Sequence, residues 1–276
     1  MRSVKPVLAA AAVSLLSSAA FAADLPLAPP PYIPPPPAAD FGGWYLRGDI
    51  GFSNQDMKRL SNANDALNYT SDQRHQFSSA GIYGVGIGYQ INNWFRADVT
   101  GEYRGSSTYN GRDQITYNGG IGVDTYTGSK SEYLFLANAY VDLGTWWCIT
   151  PFVGAGIGTA RVTTGAFTDQ GIALQGGGAL PGTALADGAS RWNLAWAVHA
   201  GLAYKVSPSL TMELAYRYLN MGDGVTRDLV AFDGSSNLGP MTFKDLTSHD
   251  VRLGVRWAID PGPAYLPPPP PLVTKG

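Results

Sequence analysis

Phe95-Arg96-Ala97-Asp98-Val99-Thr100-Gly101-Glu102-Tyr103-Arg104 sets charge on even positions, at Arg96, Asp98, Glu102 and Arg104. The odd positions Phe95, Ala97, Val99 and Tyr103 are apolar or aromatic. Successive side chains of a β-strand point to opposite faces, so this segment reads as a strand with one greasy and one charged face. Working outward, the same alternation recurs before and after it. Residues 44–52 oppose Leu46, Ile50 and Phe52 to Arg47 and Asp49; residues 82–91 oppose Tyr83, Val85, Ile87 and Tyr89 to Gly84, Gly86 and Gly88. Residues 132–143 set Phe135, Ala137, Ala139 and Val141 against Asn138 and Asp142, and residues 151–162 set Val153, Ala155 and Ile157 against three glycines. Residues 193–205 carry Leu194, Trp196, Val198, Leu202 and Tyr204 on one parity. In 210–220, Met212, Leu214, Tyr216 and Tyr218 oppose Glu213 and Arg217; in 249–257, Val251, Leu253, Val255 and Trp257 oppose Asp250, Arg252 and Arg256.

These runs predict eight strands. The gaps between them alternate long, short, long, short, long, short, long. Tight turns fall at Asn92-Asn93, at 144–149 and at Ser207-Pro208-Ser209, whereas 54–79, 105–130, 163–190 and 221–247 are long. Water-soluble barrels have no reason to keep that rhythm. Outer-membrane barrels turn tightly on the periplasmic side and extend on the other. The expected fold is therefore all-β: an eight-stranded antiparallel up-and-down transmembrane β-barrel with short periplasmic turns and long extracellular loops. Aromatic residues such as Trp44, Phe95, Tyr103, Tyr204, Tyr218 and Trp257 fall towards strand ends, as interfacial girdles do. A soluble barrel of the lipocalin kind would turn the greasy parity inward.

Parity alone does not separate inside from outside, but the charges and glycines do. Arg47, Asp49, Arg96, Asp98, Glu102, Asp142, Glu213, Arg217, Arg252 and Arg256 share the polar parity, with Arg104, Lys205 and Asp250 beside them. Charges in a narrow lumen must be paired, because an isolated buried one costs several kcal/mol. A near-balanced set thus predicts a hydrogen-bonded lumen network. Glycines 84, 86, 88, 154, 156 and 158 leave room for its long side chains.

Residues 1–22 read as a signal peptide: Arg2 and Lys5, an apolar stretch over 7–16, and Ala20-Phe21-Ala22 before the cut, with Ala20 and Ala22 the small cleavage-site residues. Removing Arg2 and Lys5 from 19 basic groups leaves 17 against 21 acidic ones, a net charge of −4. No Lys/Arg cluster points to nucleic acid. Residues 23–42 form a proline-rich periplasmic linker, 43–259 the barrel, and 260–276 a proline-rich tail. The proline tracts favour extended polyproline II and suit spacers or docking segments for periplasmic or cell-wall partners. The lone Cys148, with no basic neighbour, reads as an inert thiol.

Gly43-Trp44-Tyr45-Leu46-Arg47-Gly48-Asp49-Ile50-Gly51, Thr150-Pro151-Phe152-Val153-Gly154-Ala155-Gly156-Ile157-Gly158, Ala215-Tyr216-Arg217-Tyr218 and His249-Asp250-Val251-Arg252-Leu253-Gly254-Val255-Arg256-Trp257 carry a resemblance. So does the leader followed by Asp24-Leu25-Pro26 and a proline tract. Together they resemble alphaproteobacterial outer-membrane surface antigens and porin-like proteins with an OmpA-type eight-stranded barrel. The resemblance implies residence in the outer membrane, with outer-membrane lipid, lipopolysaccharide and the outer-membrane assembly machinery as partners. It implies envelope-structural, adhesive or weak-porin roles and supplies no catalytic residue or cofactor. Such proteins usually end on an aromatic residue; here 19 residues follow Trp257.

No catalytic constellation stands out. His199 and Glu213 share the inward parity of neighbouring strands and invite comparison with lipid A deacylases. Gly201 stands where their nucleophilic Ser would be, so no triad forms. His75, His199 and His249 lack metal-ligand spacing. The glycine runs at 122–130 and 154–158 miss the phosphate-loop and dinucleotide patterns. The expected protein is a non-enzymatic barrel with no cofactor, serving envelope structure and surface interaction. A small porin is the alternative, and an envelope lipid hydrolase a remoter one. The second long segment suits polar recognition or hairpins extending the barrel; the third, with Ile172, Leu174, Leu180 and Leu185, suits a lid or disorder better than a contact surface.

Overall fold

The computed structural model describes residues 43–62, 70–117 and 119–259; the leader and both proline tracts lie outside the described residues. In chain order the strands are β1 (Gly43–Asp56), β2 (Arg59–Ser61), β3 (Thr70–Phe77), β4 (Ala80–Gln90), β5 (Phe95–Tyr117) and β6 (Gly120–Asp142). They continue as β7 (Ile149–Thr164), β8 (Phe167–Gln175), β9 (Gly178–Ala186), β10 (Ser190–Lys205), β11 (Leu210–Ala231) and β12 (Asn237–Ala258). Eight of them pair in sequence as β1–β4–β5–β6–β7–β10–β11–β12, all antiparallel. The pairing of β12 with β1, from Tyr45↔Ala258 to Asp56↔Thr247, closes the ring. This is the up-and-down transmembrane barrel, and every expected strand lies on one of its staves.

The greasy parity faces out. Leu46, Ile50, Val85, Val99, Leu214 and Leu253 are exposed, while Arg96, Arg104 and Arg217 are fully buried. Two aromatic girdles bound the apolar band. At the periplasmic end Trp44 meets Tyr89 edge-on at 5.2 Å, with Trp94, Tyr204 and Trp257 around it. At the outer end Tyr83, Tyr103 and Tyr133 stand in register on β4, β5 and β6. From Phe95 to Tyr103 the strand rises about 27 Å at ~3.4 Å per residue. A tilt near 40° makes that roughly 20 Å of membrane, close to the usual band.

The long connections are built of strands; for the second this is the expected hairpin extending the barrel, and for the others it corrects the expectation of loops. β5 and β6 continue far past Tyr103 and Tyr133 as one hairpin, and β11 and β12 do the same on the other side. The first segment folds into β2 and β3, which pair with β12 and β5. The third is neither lid nor disorder: β8 and β9 form a hairpin turned by Gly176 and Gly177 at φ 59° and 82°, hydrogen-bonded to β6 and β11. Glycine reaches left-handed φ without strain, as a two-residue hairpin turn requires.

Above the girdle the polarity of the wall inverts. Outward residues of β6 become Ser131, Ser129, Thr127 and Thr125, while Phe77, Tyr109, Tyr126, Phe167 and Phe243 bury their rings inside with Met57, Leu60, Met241 and Leu246. Tyr109 meets Phe77 and Phe243 at 5.2 Å, and Tyr126 stacks on Phe167 at 5.7 Å. Each buried ring contributes about 1.5–3 kcal/mol, so the outer half packs as a water-soluble barrel does. The switch on β5 is made by a β-bulge: inward residues are even up to Arg104 and odd from Ser107.

The periplasmic β6–β7 turn is less well matched. Trp147 and Cys148, both non-glycine, hold φ of 49° and 66°. That turn type favours Asn-Gly, and left-handed φ costs other residues roughly 1–2 kcal/mol each. The variant with Trp147→Asn and Cys148→Gly is expected to raise stability by about 1–2 kcal/mol. An unchanged or lower urea midpoint of the refolded barrel would refute this.

Candidate functional site

All ten residues expected in the lumen lie inside the ring and join one network, together with Arg104 and Asp250. Glycines create the space. A Cβ on Gly84 would meet Glu102 Cγ at 2.9 Å; one on Gly86 would meet Arg47 Cγ at 3.0 Å. Arg47 donates to Asp49 at 2.9 Å and to Asp98 at 2.6 Å, and its Nη2 lies 3.4 Å from Glu213. Arg252 lies 2.9 Å from Asp49 and 3.4 Å from Glu102. Arg217 grips Glu102 through two parallel bonds of 2.7 Å and Asp250 through Nε at 2.9 Å. Arg104 clasps the same Asp250 at 2.8 and 2.9 Å, with Glu132 3.5 Å away.

Nearer the periplasm, Glu213 Oε1 collects Arg256 Nε at 2.6 Å and Arg96 Nη2 at 3.2 Å, as charge contacts without linear hydrogen-bond geometry. Arg96 also donates to Asp142 at 3.2 Å and lies over the rings of Tyr140 and Phe152, at 4.1 and 4.7 Å. Those ring faces accommodate the guanidinium nitrogens that no oxygen takes.

Members absent from the expected set are Lys130 and Glu132, which pair with each other, and Gln55, to which both are hydrogen-bonded. Asn138 donates to Asp98 at 2.8 Å and meets His199 Nε2 at 3.2 Å. Glu132 and Lys130 continue the even parity of Asp142 and Asn138, so that periodicity points to them. Lys205 does not join: it stands exposed at the periplasmic rim, and no ion pair joins it to a carboxylate among the described residues. With Glu213 engaged by arginines and His199 by Asn138, neither is poised as an acid–base pair. Cys148 is exposed.

The outer half carries a cavity of about 1160 Å³. Asp113 on β5 and Asp124 on β6 are directly opposed in register, and Asp169 on β8 pairs with Tyr126 beside them. Gln73 donates to Asp113 at 3.1 Å. Burial, then the Asp124 and Asp113 carboxylates, push Asp169 up to about 7. Burial also raises Asp124, and burial with these three carboxylates raises Tyr126. Among the described residues, the other charged groups lining the cavity are Arg59 and Asp233.

A carboxyl group raised in the folded state favours folding fully below its unfolded value of 3.8 and ceases to do so as pH climbs through 7. Amide exchange in β8–β9, corrected for intrinsic rates, is therefore expected to be slower near pH ~5 than near pH ~8. Asp169→Asn should flatten that difference; a wild-type profile already flat would contradict it.

The chain matches the family model described as "Outer membrane protein beta-barrel domain" over residues 8–258. An uncharacterized protein of Brucella abortus (strain 2308) is 33% identical over 275 residues, covering 87% of this chain and 93% of its own. A Rickettsia felis (strain ATCC VR-1525 / URRWXCal2) protein bearing the name "Putative adhesin" is 26% identical over 234 residues, covering 80% of this chain and 91% of its own. Among solved structures, Neisserial surface protein A (NspA) has 16% identity and a TM-score of 0.39, covering 79% of this chain and 97% of its own. OprG from Pseudomonas aeruginosa has 10% identity and a TM-score of 0.42, with the same coverages of 79% and 97%. The chain belongs to the outer membrane protein beta-barrel domain family, and its place is the bacterial outer membrane.

Proposed function

We propose that this barrel is a non-enzymatic envelope protein with a closed lumen, whose outer half is a rigid platform for surface contacts. The observation that carries this is the ion network: Arg96, Arg104 and Arg217 are fully buried and each is engaged by carboxylates from other strands. Solute passage would require breaking pairs whose separated charges cost several kcal/mol. The apolar cluster of the outer half forms a second seal above it. Surface contact fits the extended strands, which hold a broad polar surface in fixed register beyond the membrane. The adhesin name of the Rickettsia felis relative agrees with that use.

Planar-bilayer recording of the refolded full chain tests the closed lumen. No steady conductance is expected, and solute-selective channels would establish the porin alternative instead. Replacing Arg252 and Arg256 together by Met is expected to raise conductance or to loosen the barrel. Unchanged conductance and unchanged unfolding would count against the network as the seal. Pull-down of envelope proteins with and without the proline tracts tests the partners proposed for the tails.

A further inference from the structure

We propose that the cavity of the outer half binds a small organic cation, an ammonium group carried on an apolar body. This does not rest on the closed lumen. Among the described residues its lining sets Asp113, Asp124, Asp169 and Asp233 against the cation Arg59. Opposed like charges weaken a strand pair, yet Asp113 and Asp124 face each other across β5 and β6. Asp113 is held by Gln73, which leaves Asp124 and Asp169 to act.

Two polar atoms here lack a hydrogen-bond partner among the described residues. Asp169 Oδ1 is buried without a hydrogen bond. Tyr126 lines the cavity and is only 5% exposed, and no described residue hydrogen-bonds its hydroxyl. Buried acceptors ordinarily find partners, so the Asp169 oxygen calls for a ligand that donates. The acceptors outnumber the donors, and the ligand must therefore bring N–H groups and positive charge.

A metal ion does not fit: among the described residues no three acidic, histidine or cysteine groups converge to hold one. Asp124 and Asp169 are diagonal neighbours across β6 and β8, and an ammonium, with three hydrogens, can donate to more than one carboxylate. The lining also carries the apolar Leu180, Phe232, Leu238 and Met241, which would receive a hydrocarbon or aromatic body. Gly171 keeps the site open, since a Cβ there would come within 2.1 Å of Asp124 Oδ1. The volume is ample for a small molecule, which ordinarily needs about 300–1,000 Å³.

The test is calorimetric titration of the full chain in phosphatidylcholine nanodiscs near pH ~8, where the carboxylates are charged. Tryptamine is the probe and tryptophol, with a hydroxyl in place of the ammonium, its neutral counterpart. Saturable one-site binding of tryptamine is expected, at least about tenfold tighter than tryptophol. Asp124→Asn with Asp169→Asn should lose roughly tenfold or more. These substitutions relieve repulsion, so the variant should fold, as heat-modifiable gel mobility will show. Tyr126→Phe should weaken binding less. Affinity should also fall as pH is lowered through the titration of Asp169. Absence of saturable binding, equal affinity for tryptophol, or an unaffected double variant would each overturn the proposal.

Discussion

Arg217→Met is expected to destabilise the barrel by about 3–5 kcal/mol, the scale for removing one partner from a buried ionic pair. The two 2.7 Å bonds to Glu102 and the 2.9 Å bond to Asp250 vanish together. Two carboxylates are then left in a water-poor interior with reduced compensation. Arg104 still holds Asp250 and Arg252 still approaches Glu102, so the ring should survive in a loosened form. Neutralising the carboxylates as well, with Glu102→Gln and Asp250→Asn, should restore much of the loss. Met fills a similar volume, and buried ion networks are often replaceable by neutral packing. Urea unfolding in lipid vesicles measures both steps. A single variant as stable as the parent would mean that Arg217 is solvated and that the lumen is wetter than its geometry indicates.

Gly158→Val is expected to be worse, because what it strikes cannot swing away. A Cβ at that position lies 1.9 Å from Phe135 O and 2.9 Å from Leu136 Cα, both backbone atoms of the neighbouring strand. Strand pairing between β6 and β7 would have to open there. Overpacking a good core costs roughly 1–3 kcal/mol, and a backbone collision within a ladder should exceed that range. Loss of the folded, heat-modifiable species is the expected result. Gly48→Ala is the control: it lies on the lipid-facing parity, where an added methyl carbon would meet nothing within 4 Å, and should be neutral. Normal assembly of the Gly158 variant would show that β6 and β7 pair in another register.

The membrane half was legible because a single parity rule governs it. Every charge between Arg96 and Arg104 points the same way, and the glycines of β4 and β7 signal close neighbours. Leu134 and Leu136 hid part of the interior, since β6 is apolar on both faces there and alternation has nothing to contrast. The outer half escaped for a different reason. The bulge after Arg104 resets the parity of β5, and beyond the girdle polar side chains move to the outside. A rule learned from the first half then points the wrong way. Asp113, Asp124 and Asp169 stood in apparent loop positions; only the β5–β6 and β6–β8 registers bring them together, and the second of those pairings is not local.

The inverted polarity constrains biogenesis. The Ser and Thr hydroxyls on the exterior of distal β6, and the polar flank of distal β5, cannot be dragged as finished ribbons through hydrocarbon without large desolvation losses. Those segments must cross the bilayer shielded and before the cylinder seals, then zip up from the membrane towards the tip. Final seam formation between the first and last staves would therefore be the late event, with the exposed cap maturing on the far side.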